Sequence, residues 1–374
     1  MTITIIEDKV ENSLSKDWKK DKELLQSLKR LNAVDPDTFE DIIDFVKTKK
    51  VTYQQDWKNY DQAKTNESNL FHSLLRELLT LYPVEQKQNT RGRPSINTRD
   101  KIFAMCIKVF YKSDLRKSVS ILKELQRLHY ITEVPSYKSI DNFFNDASLD
   151  RILDNLIFIT ALPLSSYEHT GGIDATGFSV SRFDRWVEYK WGTEQKKKHR
   201  VWRKAHVMSG CSSNTVLSVK VTEKNVADIR MFEEVVENKP KFFEMQDFVA
   251  DKAYSSKQVF EFLKEINLDP IIPFKKNTTG RAKGCYLWSQ MFRYFKDHPS
   301  EFSKRYNVRS NLETTFHMVK KRFGDNVNTK TMIANSSEIK IKFLCHNICV
   351  LIQELFERGL ELDLQSCVKK AEVV

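Results

Sequence analysis

The order of apolar runs after residue 165 constrains this chain most. Short runs near 169–180, 203–210, 215–222, 247–251 and 270–274 are bounded by turn residues, as strands are. Apolar residues recur at helical steps over Val226–Glu237, Ser256–Ile266, 287–297, 308–323 and 336–358. The first three runs follow one another directly and should form a meander. The later ones alternate with helices and should join by crossovers. The expectation is an α/β domain, a mixed five-stranded sheet flanked by helices.

Two acids stand at informative places in these strands. Asp174 follows the chain break at Gly171-Gly172 and sits inside a strand, where Phe178 and Val180 alternate with polar neighbours. A carboxylate there needs a metal or a hydrogen-bonding partner, because burying it unpaired is costly. Asp251 ends the apolar run Phe248-Val249-Ala250, and the carboxyl ends of strands in α/β sheets are where binding sites are built. Asp247 competes for that role but precedes the run. Ser255-Ser256 can cap the following helix.

A third group lies on a late helix. With Glu313 set at zero and about 100° per residue, Tyr306 falls at about +20°, Arg309 at about −40° and Lys320 at about −20°. Leu312, Val319 and Phe323 fall together at about −80° to −120°, an apolar edge that can face a core. The plain reading of the polar stripe is a solvated face with an i,i+4 pair of Arg309 and Glu313.

The spacing Tyr306-x2-Arg309-x3-Glu313-x6-Lys320 resembles the Y-R-E-K signature of insertion-sequence DDE transposases. The blocks Gly172-Ile-Asp174 and Ala250-Asp-Lys-Ala-Tyr254 look like that family's two aspartate blocks. The resemblance covers about residues 170–350 and implies a ribonuclease-H-like catalytic domain. It implies that Asp174, Asp251 and Glu313 are catalytic and hold metal, with Asp174 bridging two Mg²⁺ ions, for which Mn²⁺ substitutes. Hard oxygen ligands suit Mg²⁺, and two such ions serve the attacking and leaving oxygens of a phosphodiester. Tyr306, Arg309 and Lys320 would position phosphates at the element's ends. The implied partners are double-stranded DNA, as inverted repeats and target, and a second copy in a homodimer that joins two ends. The implied activity is metal-dependent cleavage followed by strand transfer. A nuclease that stops at hydrolysis and a transposase-derived regulator without catalysis are the alternatives. Asp251 and Glu313 are 62 positions apart, too few for the extra β-domain that some relatives insert there.

Charge agrees with a polyanionic partner. The chain has 374 residues, a formal net charge of +11 and a pI of about 9.1. From Arg182 to His206, nine Lys or Arg face three acids, interleaved with Phe183, Trp186, Tyr189, Trp191 and Trp202. That run, which includes Arg203 and Lys204, suits a groove for phosphates and bases, or a hairpin whose aromatics pack on the core. Phe274–Gln290 carries Lys275, Lys276, Arg281 and Lys283 without an acid, and Gly280 and Gly284 suggest a flexible loop able to close on DNA. His317, at about +40°, is within reach of phosphate. His206 reads as a structural strand residue, and Asp228 as a helix cap or a DNA contact. Arg91-Gly-Arg93-Pro94 resembles an AT-hook core and reads equally as a basic linker.

The expected organisation is a helical region over 1–90, a basic linker and helical DNA-binding region over 91–165, the catalytic domain over 166–360 and a tail over 361–374. Ser136 should start a helix that exposes Lys138 and Asn142, as in a helix-turn-helix. Cys106, Cys211, Cys285, Cys345, Cys349 and Cys367 form no CxxC pair and read as buried free thiols of a reducing cytoplasm. No apolar stretch is long enough to span a membrane, and Met1–Val10 has no small-residue cleavage site, against a secretory signal.

Overall fold

The computed structural model describes residues 56–83, 95–180, 202–237, 239–281 and 283–371. The helices expected before residue 56, Arg91 and Arg93 of the linker, and residues 182–201 of the basic aromatic run lie outside the described residues. Residues Trp57–Val374 belong to one compact unit.

Five helices precede the sheet: α1 (Trp57–Leu81), α2 (Thr98–Phe110), α3 (Leu115–Arg127), α4 (Tyr137–Phe144) and α5 (Leu149–Ala161). Their starts are capped as the sequence suggests. Asn97 accepts from the Arg99 N–H, Asp114 from those of Arg116 and Lys117, and Ser136 from that of Ser139. Buried Asp100 accepts the Thr132 and Glu133 N–H groups at 3.3 and 3.0 Å, which fixes the turn between α3 and α4. Lys138 and Asn142 are exposed on α4, with Lys138 paired to Asp141 at 2.7 Å.

The sheet is built from β1 (Thr170–Ser179), β2 (Trp202–Gly210), β3 (Val216–Glu223), β4 (Asp247–Ala250) and β5 (Asp269–Ile271), in the order β3-β2-β1-β4-β5. The β1–β2 and β2–β3 pairs are antiparallel, and β4 and β5 add in parallel. This is the mixed five-stranded, helix-flanked sheet expected, consistent with a ribonuclease-H-like domain. The turn between β2 and β3 is organised by Glu168, whose buried carboxylate accepts the Ser212 and Ser213 N–H groups at 2.8 and 2.7 Å. A Cβ on Gly210 would stand 2.1 Å from the Glu168 carboxyl carbon, so only glycine fits beside it.

The remaining helices are α6 (Phe232–Val236), α7 (Lys257–Glu265), α8 (Tyr286–Asp297), α9 (Pro299–Asn307), α10 (Ser310–Phe323), α11 (Met332–Glu357) and α12 (Leu364–Ala371). The helix expected over Val226–Glu237 is instead a 3₁₀ turn, Asp228–Met231, followed by the short α6. The stretch expected as one helix from 308, with Tyr306 on its stripe, is broken. The Arg309, Asn311 and Leu312 N–H groups reach back only three residues, to Tyr306, Val308 and Arg309 carbonyls. That tightened turn separates α9 from α10.

α11 is the central strut. Its Asn347 accepts the Val216 N–H at 2.8 Å and lies 2.7 Å from the Val216 carbonyl, which saturates backbone of the edge strand β3. The same amide reaches the Ile157 carbonyl and the Thr160 hydroxyl of α5, at 3.0 and 3.1 Å. Lys340, 2% exposed, is held between Asp150 and Asp154 at 2.6 and 2.7 Å, so its buried charge is paired. Phe71 and Leu75 of α1, Phe103 of α2, Leu156 of α5, Phe248 of β4, Phe343 of α11 and Val368 of α12 share one core. All six cysteines are buried and free.

Candidate active site

Parallel pairing of β1 with β4 places the first two acids side by side. Ile173 pairs with Ala250, both fully buried, so Asp174 and Asp251 are the next residues along the two strands. Neighbouring strands run about 4.8 Å apart. Asp174 lies inside β1 and Asp251 immediately past the carboxyl end of β4. Asp247, at the opposite end of β4, is engaged elsewhere. Arg305 of α9 donates Nε to its Oδ2 at 3.0 Å, and the same guanidinium reaches Asp269 at 2.7 Å.

Glu313 is brought in by a glycine. A Cβ on Gly172 would lie 2.7 Å from Val249 Cγ2 and 2.9 Å from Leu312 Cδ1. Its absence lets α10 settle directly on β1. Gly172 and Asp174 share one face of the strand, so the contact that seats Leu312 also sets Glu313 beside Asp174. Two side chains of α10 hold the helix to the β2–β3 turn: Asn311 donates to the Cys211 carbonyl at 2.7 Å, and Thr315 to Asn214 at 3.2 Å.

Arg309 joins the acids. It donates Nη1 to Asp174 Oδ2 at 2.9 Å and Nη2 to Glu313 Oε1 at 2.7 Å. The i,i+4 pair of the plain reading therefore exists, and the same guanidinium extends it across 135 positions to β1. Asp174 Oδ1 accepts its neighbour's N–H, that of Ala175, at 2.8 Å. Burial raises the Asp174 carboxyl above the usual range, and nearby Asp251 adds to the rise. The Ala175 N–H and Arg309 hold it back. Burial also pushes the Tyr306 phenol up, with Asp251 and Asp174 acting the same way against Arg309. Burial by itself would weaken the Arg309 cation, but Tyr306, Asp174, Glu313 and Asp251 outweigh it and hold the proton more firmly. Tyr306 thus adjoins the site from α9, across the turn, rather than from the stripe of α10.

The donor types suit a hard divalent cation, being carboxylate oxygens carried by three elements. Among the described residues, no three His, Cys, Asp or Glu side chains stand together as an ion-holding group in this arrangement. The guanidinium lies between two of the acids.

Lys320 lies three turns along α10, half-buried, with its ammonium 5.4 Å from the Phe178 ring centre. Burial lowers its pKa, with Asp325 opposing. Lys342 of α11 approaches the same ring at 5.4 Å and donates to the Gly324 and Asn326 carbonyls, which closes the end of α10. Burial brings Lys342 down to about 8.

The other expected contacts are dispersed. His317 is exposed on α10, and Lys275 and Lys276 are exposed beyond β5. The segment they begin is pinned rather than free to close. Trp288 donates to the Thr279 carbonyl at 3.1 Å, Ser289 to that of Gly280 at 2.5 Å, and Gly280 packs on Phe292. Arg203 is 4.0 Å from Glu223. Lys204 is paired with Asp228 at 2.8 Å and donates to the Val226 carbonyl at 3.1 Å. His206, fully buried, lies 2.9 Å from the Thr222 hydroxyl and 3.3 Å from Asp228. Asp228 is therefore the partner of two β2 side chains. The sequence carries no signal of that pairing, nor of the pairing of Arg305 with Asp247, since the partners are far apart along the chain.

Residues 170–348 match the family model described as transposase DDE domain. An uncharacterized protein of Aquifex aeolicus (strain VF5) is 26% identical over 278 residues, covering 71% of this chain and 82% of that protein. The matched span runs from the first residue of β1 into α11 and includes Asp174, Asp251 and Glu313.

Proposed function

We propose that this chain, whose residues 170–348 match the transposase DDE domain family, is an insertion-sequence transposase that cleaves and joins DNA at the ends of a mobile element. Asp174, Asp251 and Glu313 are the carboxylates that would hold two divalent ions, Mg²⁺ in the cell with Mn²⁺ as a substitute. When bound, such ions would lower the pKa of an attacking water and stabilise the leaving oxygen. The bridging of Asp174 of β1 and Glu313 of α10 by Arg309, with Asp251 next to Asp174 past the end of β4, supports this reading most directly.

The chain's own residues supply position and charge. Asp174, fixed by the Ala175 N–H, has one defined orientation toward α10. Arg309 and Tyr306 adjoin the acids, Lys320 lies further along α10 over Phe178, and all three suit phosphate oxygens of the element's end. Contacts of this type set register without reading sequence. His317, Lys275, Lys276, Arg203, Lys204, Arg91 and Arg93 are proposed as further DNA contacts, the last two in the linker. The partners are the element's inverted repeats and target DNA, handled by a homodimer that holds two ends. Among the described residues no helix is long and apolar enough to cross a membrane, and we place the work on the nucleoid in the cytoplasm.

The test uses duplexes that carry the inverted repeat flanking the gene. The full chain with Mg²⁺ should release a 3′-hydroxyl end and join it to a second duplex. Asp174→Asn, Asp251→Asn and Glu313→Gln should each abolish both products. Nicks without joined product would instead identify a nuclease, and full activity in any of the three variants would remove that residue from the proposed site.

A further inference from the structure

We propose that Arg309 is the resident counter-cation of the acidic site, and that divalent ions bind there only as its guanidinium leaves. The inference rests on the reading of the site as a metal centre and goes beyond it, because it assigns Arg309 a role toward the ions as well as toward DNA. Three observations carry it. The guanidinium spans Asp174 and Glu313 at 2.9 and 2.7 Å, so it uses an oxygen of each acid that an ion would take. While it does so, no three acidic or other metal-ligating side chains stand together as an ion-holding group, at this site or elsewhere among the described residues. Finally, Arg309 sits in the tightened turn between α9 and α10 and not inside a continuous helix. That turn can readjust without unwinding either helix.

The physical argument is competition. Asp174 is partly buried beside Asp251, and two carboxylates this close repel unless a cation stands with them. Before ions and DNA arrive, Arg309 supplies that cation. A divalent ion must displace it, which weakens ion binding to the free protein. A phosphate from an element end gives the released guanidinium an alternative bidentate partner. DNA and ions should therefore strengthen each other's binding through one side chain, and that coupling is reciprocal. The free protein would hold its ions poorly, and an activated site would assemble only at a DNA end.

Mn²⁺ binding to the full chain, followed by electron paramagnetic resonance, tests this without reading activity. Arg309→Ala should bind Mn²⁺ about tenfold more tightly than the natural chain when DNA is absent. A duplex with the element end should tighten binding to the natural chain by a similar factor and leave Arg309→Ala nearly unchanged. Arg309→Lys, which keeps the charge but cannot span both acids, should fall between the two and guards against a folding defect in the alanine variant. Asp174→Asn in each background identifies which bound Mn²⁺ belongs to this site. Asp174-dependent binding that is equal or weaker in Arg309→Ala overturns the counter-cation role while leaving the metal centre standing. Binding indifferent to Asp174→Asn in both backgrounds overturns the metal centre and this role with it.

Discussion

Asp174 shows at the scale of one residue how a site is maintained against the stability of the fold. Its carboxyl is raised chiefly by burial, so the folded chain prefers it protonated. As pH rises from the unfolded value through the folded one, the unfolded chain releases this proton first and stability falls across that window. Above it the cost persists. Asp174→Asn should abolish cleavage, yet its melting temperature at pH 7 should equal or exceed that of the natural chain, as differential scanning calorimetry would record. A large drop in melting temperature would mean that the pairing with Arg309 is structural. The two aspartates that bound β4 make a second contrast. Asp247 is engaged by Arg305, and Asp251 adjoins Asp174. Asp247→Asn should keep end cleavage within about threefold while destabilising the fold by about 1 kcal/mol. Asp251→Asn should do the reverse. Lys320, close to Phe178, is the residue for salt dependence: Lys320→Ala should reduce the slope of log affinity against log salt by about one unit in filter-binding assays.

At the scale of elements, the seating of α10 on β1 decides whether the site exists. Gly172 faces Leu312, Asp174 meets Arg309, and Phe178 meets Lys320, so one face of the strand engages one edge of the helix along its length. Gly172→Ala would force a methyl group into Val249 and Leu312. We expect a loss of about 1–3 kcal/mol by chemical denaturation, and a loss of cleavage larger than that instability explains, since Glu313 and Arg309 move with the helix. Cleavage retained at the natural rate would show that α10 tolerates displacement. The expected single helix through Tyr306 failed for a local reason. Asn307 and Val308 are weak helix formers, and the chain closes three-residue bonds there before continuing. Tyr306 nevertheless stays near the acids, because so tight a turn alters the direction of the chain more than its position.

Across the whole molecule, the helices that precede the sheet share its core and reach the helix that carries the site. Arg322 of α10 pairs with Glu67 of α1 and lies over Phe110 of α2, and Lys112 donates to the Lys321 carbonyl at 3.1 Å. Two histidines of this shared interior tie its stability to pH. Burial brings both His72 and His346 down from 6.5 to about 4. Between those values the unfolded chain binds protons that the fold excludes, so stability held above pH 6.5 is lost as pH falls toward 4. Each ring should contribute up to about 2 kcal/mol of that loss by pH 5. His346→Gln should shrink the fall in urea midpoint between pH 7 and pH 5, and an unchanged fall would assign the pH dependence to other groups.

Much of this was legible in the residues alone. Strand and helix order from Thr170 onward follows from local periodicity; strand ends and helical spacing marked the places of Asp174, Asp251 and Glu313, while their roles were implied by the family resemblance of short motifs. The capped start of α4 at Ser136 is equally local. What the chain could not disclose is pairing between distant parts. The engagement of Asp247 by Arg305 crosses 58 positions, and the meeting of Arg309 with Asp174 crosses 135. The pinned segment after β5 depends on Trp288 and Ser289 folding back, against the freedom that its glycines suggest. Backbone propensity and side-chain period act over a few residues and can be read one segment at a time. The partner of a buried charge depends on which surfaces packing brings together, and only the tertiary structure decides that.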